Sequence, residues 1–276
     1  MGGLLIATSQ PNSASVYCNV RSQLPLRGSS GFKPDSLFNA LQRVRTSEVL
    51  RIADASPACE PNESLTSPIF TPAFRADFEN LLRWRRDVRH FLTGPVDPAL
   101  IENLLRQAML APSVGFSQPW RWVLVDDPIR RQAIAENFEQ TNAEALARYH
   151  DAQADEYARL KLAGLREAPI HIAVFADTTA PTGSGLGRQT MPGTLVWSAV
   201  MAIHTLWLAA ASEGLGLGWV SILDPAQAHA TLEAPAAWTF LAYLCLGWPA
   251  EPSPDPLLER TGWERRLASE PLILRR

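Results

Sequence analysis

The sequence contains very little lysine and cysteine. Only Lys33 and Lys161 are lysines among its 25 basic residues, so Lys161 stands alone after residue 33 and is a candidate functional residue. The cysteines Cys18, Cys59 and Cys245 are odd in number, widely spaced and without a CxxC pair. This usage is typical of reduced thiols and argues against a disulfide framework. The five histidines show no HExxH or similar spacing, so we expect no metal site.

Long apolar runs and strong net charge are also absent. No run reaches the roughly 18 apolar residues that span a bilayer, and the start MGGLLIATSQ lacks the basic segment of a secretory signal. A formal net charge of −3 argues against a general nucleic-acid or membrane-surface binder. The chain has 276 residues, 46% of them hydrophobic, which is typical of a soluble protein with one sizeable core. We expect a cytoplasmic location.

Residues 1–72 differ in composition from the rest of the chain. They are rich in Ser, Pro, Asn and Gly, and contain one short helical pattern, Ser36–Ile52. Such a segment buries too little apolar surface to offset the entropy lost on ordering. We therefore predict a disordered or loosely structured N-terminal extension over residues 1–72, or an overlong gene start, followed by a catalytic domain over residues 73–276.

Helical and strand patterns alternate after residue 72. Asp97–Pro98 and Asp127–Pro128 are typical helix starts. Thr194–Ser212 is the most apolar helical stretch, which predicts burial on all sides, either in the core or at a subunit interface. His204 within it is more often a core histidine than a ligand. Strand patterns cover 121–125, 170–176, 219–223 and 238–246. Because the first strand follows two helices, we expect an α+β fold with a central mixed or antiparallel sheet flanked by helices.

The segment RWRRDVRHF (83–91) holds four arginines and one aspartate. A charge run of this kind is often a solvated helix end. Guanidinium groups also bind phosphate through paired hydrogen bonds, so the segment is a candidate anion clamp. Asp87 within it is expected to stay ionised beside its arginine neighbours.

The loop APSVGFSQPW (111–120) is a second candidate. It could be an ordinary turn, since it is rich in turn residues. It also offers backbone N–H groups, hydroxyls and the Gln118 amide beside the flat side chains of Trp120 and Trp122. This mixture suits a planar heteroaromatic ligand with imide-type edges.

The stretch GLGLGWVSI (214–222) resembles a dinucleotide fingerprint only superficially. Its glycines precede a strand, whereas a Rossmann loop follows a strand and opens a helix. We interpret them as a helix stop and a closely packed strand entry. Ser221 would then lie on this apolar strand, either as a buried serine bonded to its own backbone or as a functional hydroxyl.

Taken together, these segments resemble one family. The stretches in chain order are RRDVR (85–89), APSVGFSQPW (111–120), YARLKLAGL (157–165), LGR (186–188), LWLAA (206–210), GLGLGWVSI (214–222), YLCLGW (243–248) and GW (262–263). The same ordered set occurs in the aerobic 5,6-dimethylbenzimidazole synthase (BluB) family, a specialised branch of the nitroreductase-like FMN proteins. The resemblance covers about residues 73–267, and the Pro-rich stretch EPSPDP (251–256) is an insertion relative to it.

The resemblance implies a domain-entwined homodimer with two FMN sites at its interface. It implies an oxidoreductase that consumes reduced FMN and O2, makes 5,6-dimethylbenzimidazole for the lower ligand of cobalamin, and releases erythrose 4-phosphate. A separate NAD(P)H-dependent flavin reductase would supply the reduced FMN. Nucleic-acid and membrane partners are not expected.

The resemblance also assigns roles to individual residues. Arg85, Arg86 and Arg89 would hold the phosphoribityl chain, and Asp87 and Ser221 would be the catalytic residues. Lys161 and Leu162 fall in the segment that forms a lid over the flavin. The FMN-binding residues that it implies are Arg85, Arg86, Asp87, Val88, Arg89, Pro112, Ser113, Gln118, Lys161, Leu162, Val220 and Ser221.

Two other functions are compatible with the same patterns. An NAD(P)H-dependent FMN nitroreductase or flavin reductase would have the same fold but keep its flavin and have an open site above it. A flavin-binding sensor or non-catalytic partner protein would use the N-terminal extension for docking. Full activity retained after deletion of residues 1–72 would count against the sensor.

Overall fold

The computed structural model describes residues 68–160, 164–268 and 272–276. The pattern over Ser36–Ile52 lies outside these residues. The helices are α1 (Pro72–Trp84), α2 (Pro98–Ala108), α3 (Pro128–Leu146), α4 (Asp151–Arg159), α5 (Thr194–Ser212), α6 (Pro225–Thr231) and α7 (Leu257–Arg260). The strands are β1 (Trp120–Leu124), β2 (Ile170–Asp177), β3 (Gly216–Val220) and β4 (Trp238–Gly247).

Aspartate–proline pairs begin three of the helices. The Asp97 carboxylate accepts a hydrogen bond from Ala99 N, and the Asp127 carboxylate accepts one from Ile129 N. Asp224 caps α6 in the same way. In each case proline takes the first helical position, where its missing N–H leaves no bond unmade. The predicted starts of α2 and α3 are therefore confirmed.

The four strands form one antiparallel sheet in the order β1-β2-β4-β3. The central strands β2 and β4 pair from Ile170 opposite Leu246 to Asp177 opposite Trp238, with a β-bulge between Val174 and Phe175. A parallel bridge joins Asp87 to Leu217 on the free edge of β3. The sheet is thus antiparallel with a mixed edge, as the sequence pattern predicts.

Side chains alternate between two faces of the sheet, and each face has its own core. Ile172 and Val174 lie in one cluster with residues of α2 and α5, whereas Ala173 and Phe175 lie in the other with residues of α3 and α6. Helices therefore cover both faces. This arrangement leaves the two sheet edges, beside β1 and β3, as the places where polar loops can gather.

Helix α5 has the predicted bounds but not the predicted burial. Trp197, Val200, Met201 and His204 are exposed and lie on one stripe, at spacings of three and four residues. Burial on all sides within one chain is therefore wrong, and His204 is not a core histidine of that chain. The alternative, that the helix lies at a subunit interface, stays a prediction. The prediction that no apolar run reaches membrane-spanning length is wrong too, since α5 has 19 residues and a mean hydropathy of 1.6. Its other side packs in the core.

Strand β3 begins and ends earlier than the pattern predicts. It covers Gly216–Val220 rather than 219–223, because glycines in it allow a neighbouring segment to pair with it closely. Ser221 therefore follows the strand and is exposed, so neither a strand position nor a buried serine describes it. The chain turns at this point because Asp224 begins α6 three residues later.

Candidate functional site

The arginine segment runs as an extended chain along the free edge of β3. Val88 N donates to Leu217 O at 3.1 Å. A Cβ atom at Gly216 would lie 2.6 Å from Val88 Cγ2, and one at Gly218 would lie 2.2 Å from Val88 O. Glycine at both positions therefore permits the pairing, as predicted for a closely packed strand entry.

Asp87 fixes this segment through both carboxylate oxygens. Oδ1 accepts from Trp219 N at 3.0 Å, and Oδ2 accepts from Arg89 Nε at 2.8 Å. The Asp87 side chain remains 32% exposed. Because each carboxylate oxygen has two lone pairs, Asp87 can still accept a hydrogen bond from a ligand.

Val220 and Ser221 come directly after the residue that Asp87 holds. Val220 is buried beside the core, opposite Tyr243 of β4, whereas the Ser221 side chain is exposed. Ser221 lies two residues beyond Trp219, which is roughly 7 Å of extended chain. The structure therefore places the two residues that the resemblance marks as catalytic at the same edge of the sheet.

Arg85 packs against an aromatic ring. Its guanidinium carbon lies 4.9 Å from the centroid of the Trp207 ring in α5, a favourable cation–π distance. Burial lowers the pKa of Arg85; the charge of Asp87 raises it, and that of Arg266 lowers it. Within the part of the chain that the structure describes, this guanidinium has no hydrogen-bond partner and is available to an anion.

The Arg86 guanidinium, unlike that of Arg85, is bonded to backbone carbonyls. Its Nε donates to Pro254 O at 2.8 Å, and its Nη atoms donate to the carbonyls of Arg83, Arg85 and Pro254. Burial lowers the pKa of Arg86, and the charges of Arg85 and Arg266 lower it further. In this structure the guanidinium serves backbone carbonyls, whereas the resemblance assigns it to the phosphoribityl chain.

The C-terminal side of the predicted lid lies against the arginine segment. A Cβ atom at Gly164 would lie 2.4 Å from the Phe91 ring and 3.3 Å from Arg89 O, and Glu167 accepts from Phe91 N at 3.2 Å. Lys161 and Leu162 lie outside the described residues. The close approach at Gly164 explains the glycine that the family pattern has there.

The loop 111–119 has an unusual backbone. Gly115, Phe116 and Gln118 have positive φ angles of 54°, 56° and 46°, a region that non-glycine residues rarely adopt. Ser113 Oγ accepts from Gln118 N at 3.1 Å and so closes the turn. Pro112 and Gln118 are exposed, which leaves the Gln118 amide directed to solvent or a ligand.

The loop is held by α5 and by a second glycine-rich turn. Ser198 Oγ accepts from Val114 N at 3.0 Å and donates to Thr194 O at 2.6 Å. A Cβ atom at Gly183 would lie 2.6 Å from Gly115 O. These contacts hold the loop in its strained backbone conformation, which is common at ligand-binding sites.

The candidate residues therefore form two groups at opposite edges of the sheet. Pro112, Ser113 and Gln118 precede β1, whereas residues 85–89, Val220 and Ser221 lie at β3. Two strands separate β1 from β3, so their axes are about 14 Å apart. A cavity of about 210 Å³ lies beside the arginine segment, and it is smaller than the ~300–1,000 Å³ typical of pockets that enclose a drug-sized ligand. This cavity is lined by residues of the arginine segment and does not include Pro112, Ser113 or Gln118.

Residues 249–266, here named the C-terminal strap, lie beside the arginine segment. The resemblance suggests phosphate contacts in this part of the chain, such as Arg265 or Arg266, and the EPSPDP insertion precedes them. Ala250 N donates to His90 O at 3.0 Å, which begins the strap beside the arginine segment. Farther along, the Trp263 ring lies 5.8 Å from Tyr149 and 6.1 Å from Tyr157. The GW motif at 262–263 was the available signal, but its partner in α4 is visible only in three dimensions.

Comparisons with known proteins agree with this architecture. A model of the Nitroreductase family matches residues 82–248. The 5,6-dimethylbenzimidazole synthase of Rhodospirillum rubrum is 56% identical over 201 residues, covering 73% of this chain and 95% of that protein. A protein of the same name from Rhodobacter capsulatus is 47% identical over 201 residues, covering 73% of this chain and 97% of its own length.

Solved structures share the fold at lower identity. The crystal structure of oxidised iodotyrosine deiodinase, bound to FMN and 3-iodo-L-tyrosine, has a TM-score of 0.57 and 22% identity, covering 71% of this chain and 97% of that one. The nitroreductase family protein of Streptococcus pneumoniae has a TM-score of 0.51 and 21% identity, covering 72% and 100%. The resemblance and the nitroreductase-like α+β fold that the motifs predict are confirmed, and the chain belongs to the nitroreductase family.

Proposed function

We propose that this protein is a 5,6-dimethylbenzimidazole synthase, which converts reduced FMN and O2 to 5,6-dimethylbenzimidazole and releases erythrose 4-phosphate. The proposal is carried by the 56% identity to a protein of that name over nearly its whole length. The Asp87 carboxylate and the Ser221 hydroxyl, at one edge of the sheet, support it from the side of the chemistry.

The residues at this edge suit the phosphate of FMN. Arg85 is half-buried, has no hydrogen-bond partner within the described residues, and lies near a second positive charge on Arg266. Like charges brought together in a partly buried place are stabilised by an anion between them. We infer that Arg85 and Arg89 hold the phosphoribityl chain together with the backbone at Val88, and that Arg86 belongs to the same end of the site.

Each catalytic residue has a role that its surroundings permit. Reduced FMN supplies the electrons for O2 and the carbon skeleton of the product. Asp87 accepts a proton from a ribityl hydroxyl at its remaining lone pairs. Ser221 donates a hydrogen bond towards the isoalloxazine from its exposed hydroxyl. The resemblance assigns Lys161 and Leu162, which lie outside the described residues, to a lid that would exclude water from the reacting flavin.

A homodimer would complete the site. Pro112, Ser113 and Gln118 lie at the opposite edge of the sheet from Asp87, so we propose that they contact the isoalloxazine bound at the arginine segment of the partner chain. The exposed stripe on α5 begins next to this loop, because Ser198 of the same helix holds Val114. An exposed apolar stripe of this kind is typical of a subunit interface.

The proposed setting follows from the chemistry. A separate NAD(P)H-dependent flavin reductase supplies reduced FMN, and the cytoplasm is the compartment where such reductases and FMN are available. The product serves as the lower ligand of cobalamin. Residues 1–72 are proposed to be an extension outside the catalytic domain at 73–276, since the matched 201 residues cover 95% of the relative but 73% of this chain.

The test is a reconstituted reaction. Purified protein is mixed with FMN, a separate flavin reductase, NADPH and air, and the products are examined by mass spectrometry for 5,6-dimethylbenzimidazole. Product is expected with air and is not expected under nitrogen. If the protein instead oxidises NADPH by itself, keeps its FMN and forms no benzimidazole, it is an NAD(P)H-dependent nitroreductase or flavin reductase.

A further inference from the structure

The Arg86 guanidinium joins two parts of the chain that are far apart in sequence. Arg83 and Arg85, whose carbonyls it binds, lie at the C-terminal end of α1, and Pro254, which it also binds, lies in the C-terminal strap. Carbonyls at a helix C-terminus lack partners within the helix and carry partial negative charge, so a guanidinium there is stabilised. One planar group thus serves both α1 and the strap.

The strap leads from this tie to the phosphate end of the proposed flavin site. Twelve residues after Pro254 along the chain, Arg266 lies close enough to Arg85 and Arg86 for its charge to act on both. Arg266 has an exposed side chain near the end of a Pro-rich segment, so α1 and α5 do not position it directly. The strap that leads to this second cation is held by the bonds from Arg86 to Pro254 and, nearer to Arg266, by the packing of Trp263 against Tyr149 and Tyr157.

We propose that Arg86 is a positioning residue that ties the C-terminal strap so that Arg266 faces Arg85 across the phosphate of FMN. This inference rests on the proposed function, because it assigns the phosphate to the pair Arg85 and Arg266. It also gives the neighbouring arginines different roles: Arg85 binds the phosphate, and Arg86 holds in place Arg266, the second residue that binds it. Pro254, which Arg86 binds, lies within the EPSPDP stretch, and the family pattern lacks this stretch.

The first measurement is hydrogen exchange of the strap in the flavin-free protein. Arg86→Gln removes the guanidinium and is expected to raise exchange at amides of residues 255–266 about tenfold or more, as for loss of a charge-assisted bond. Arg83→Gln is the matched control, because the Arg83 side chain is 70% exposed and pairs with Glu79. Equal exchange in the two variants would overturn the tie.

The second measurement compares FMN with riboflavin, which lacks the phosphate. Arg86→Gln is expected to weaken FMN binding by about tenfold and to leave riboflavin binding nearly unchanged, in titrations followed by flavin fluorescence. A purely structural defect would weaken both ligands alike, and that result would overturn the proposal. Arg83→Gln is expected to bind both as the wild type does.

A double-mutant cycle separates positioning from direct contact. If Arg86 acts through Arg266, then adding Arg86→Gln to Arg266→Gln causes little further loss of FMN affinity. If Arg86 itself binds phosphate, the two losses add, and the positioning role is overturned. Absence of FMN and riboflavin binding in the wild type would overturn the proposed function and the phosphate role, whereas the exchange measurement would still decide whether Arg86 holds the strap.

Discussion

At the scale of single residues, Asp87 has a structural task and, in the proposed reaction, a chemical one. It accepts hydrogen bonds from Trp219 N and from Arg89, so its position is fixed without a ligand. An asparagine would keep the first bond but present an NH2 group or a weaker acceptor to Arg89. Since a neutral amide is not a base near neutral pH, asparagine could not take the proposed proton-accepting role.

We therefore expect Asp87→Asn to abolish formation of 5,6-dimethylbenzimidazole while FMN affinity stays within several-fold of the wild type. Product by mass and FMN affinity by titration are the two measurements. Asp177→Asn, which breaks a comparable 2.9 Å pair with Arg121, controls for the stability cost of about 1–2 kcal/mol. Wild-type product yield from Asp87→Asn would remove this residue from the mechanism.

His171 is a buried residue that predicts a pH dependence of stability. Its Nε2 donates to Ala168 O at 3.2 Å, so Nδ1 accepts from the Tyr243 hydroxyl at 3.0 Å. Burial, followed by the charge of Arg131, lowers the pKa of His171 to about 4. The folded state thus holds the neutral ring, whereas in the unfolded chain the ring takes up a proton below about pH 6.5.

Because the unfolded state binds more protons between pH 6.5 and 4, the stabilisation is fully present above pH 6.5 and is lost as pH falls towards 4. We expect the free energy of unfolding to drop by about 2 kcal/mol between pH 7 and pH 5 from this residue, measured by urea denaturation. His171→Gln, which keeps an acceptor for Tyr243, should flatten this part of the profile. An unchanged slope in the variant would show that another group is responsible.

Sequence reasoning was only partly able to assign residues. The sequence predicts an anion clamp in the arginine segment, and that role stays a prediction, but four guanidinium groups in seven residues look alike in sequence. Which one meets a carbonyl, a carboxylate or an aromatic ring depends on Pro254, Asp87 and Trp207, and two of these are more than a hundred residues away.

At the scale of elements, β3 shows how a tertiary contact decides the bounds of a strand. Apolar alternation suggested 219–223, yet the strand covers Gly216–Val220 because the extended chain at Val88 pairs with the glycine-rich part. Helix starts were predictable, since an aspartate cap followed by proline is a local signal. The glycines of β3 were explained only by the neighbour that they admit.

Gly218→Ala tests that contact. The added Cβ would lie 2.2 Å from Val88 O, so the arginine segment must move and the bond from Trp219 N to Asp87 must lengthen. We expect a loss of about 1–3 kcal/mol in the free energy of unfolding, together with weaker FMN binding. Gly94→Ala is the control, since its nearest neighbour would be Trp248 Cδ1 at 3.8 Å. Equal stability of the two variants would contradict the close approach.

Helix α5 carries a second prediction, on the exposed stripe of Trp197, Val200, Met201 and His204. A charge placed on this stripe would be buried in a subunit interface but not in a monomer. Trp197→Asp should therefore shift the protein from dimer to monomer in analytical ultracentrifugation. Ile129→Asp, at a site on α3 that is 78% exposed, should leave the dimer intact. A wild-type sedimentation profile for Trp197→Asp would exclude this face as the interface.

At the scale of the whole molecule, the candidate residues lie at two opposite edges of one sheet, and the proposed site needs both groups. The arginine segment and Ser221 lie at β3, and the loop with Gln118 lies at β1, with β2 and β4 between them. Phe74, Phe78 and Leu82 of helix α1, and Phe70 just before it, are exposed, and a partner could also cover them. The ordered motifs identified the fold and the family, but no pattern within one sequence states which chain completes which site.

Complementation between two defective chains tests this composite site. Asp87→Asn removes the carboxylate at β3, and Gln118→Gly removes the loop amide without strain at its φ of 46°. Each homodimer should be inactive.

Coexpressed chains with different tags form a mixed dimer. In it, one site has two wild-type halves and the other site has both defects. That dimer, purified through both tags, should make about half as much benzimidazole as the wild type, one intact site of two. A mixture of the separate homodimers without subunit exchange should make none. If both halves came from the same chain, each site of the mixed dimer would keep one defect, and no recovery would be seen.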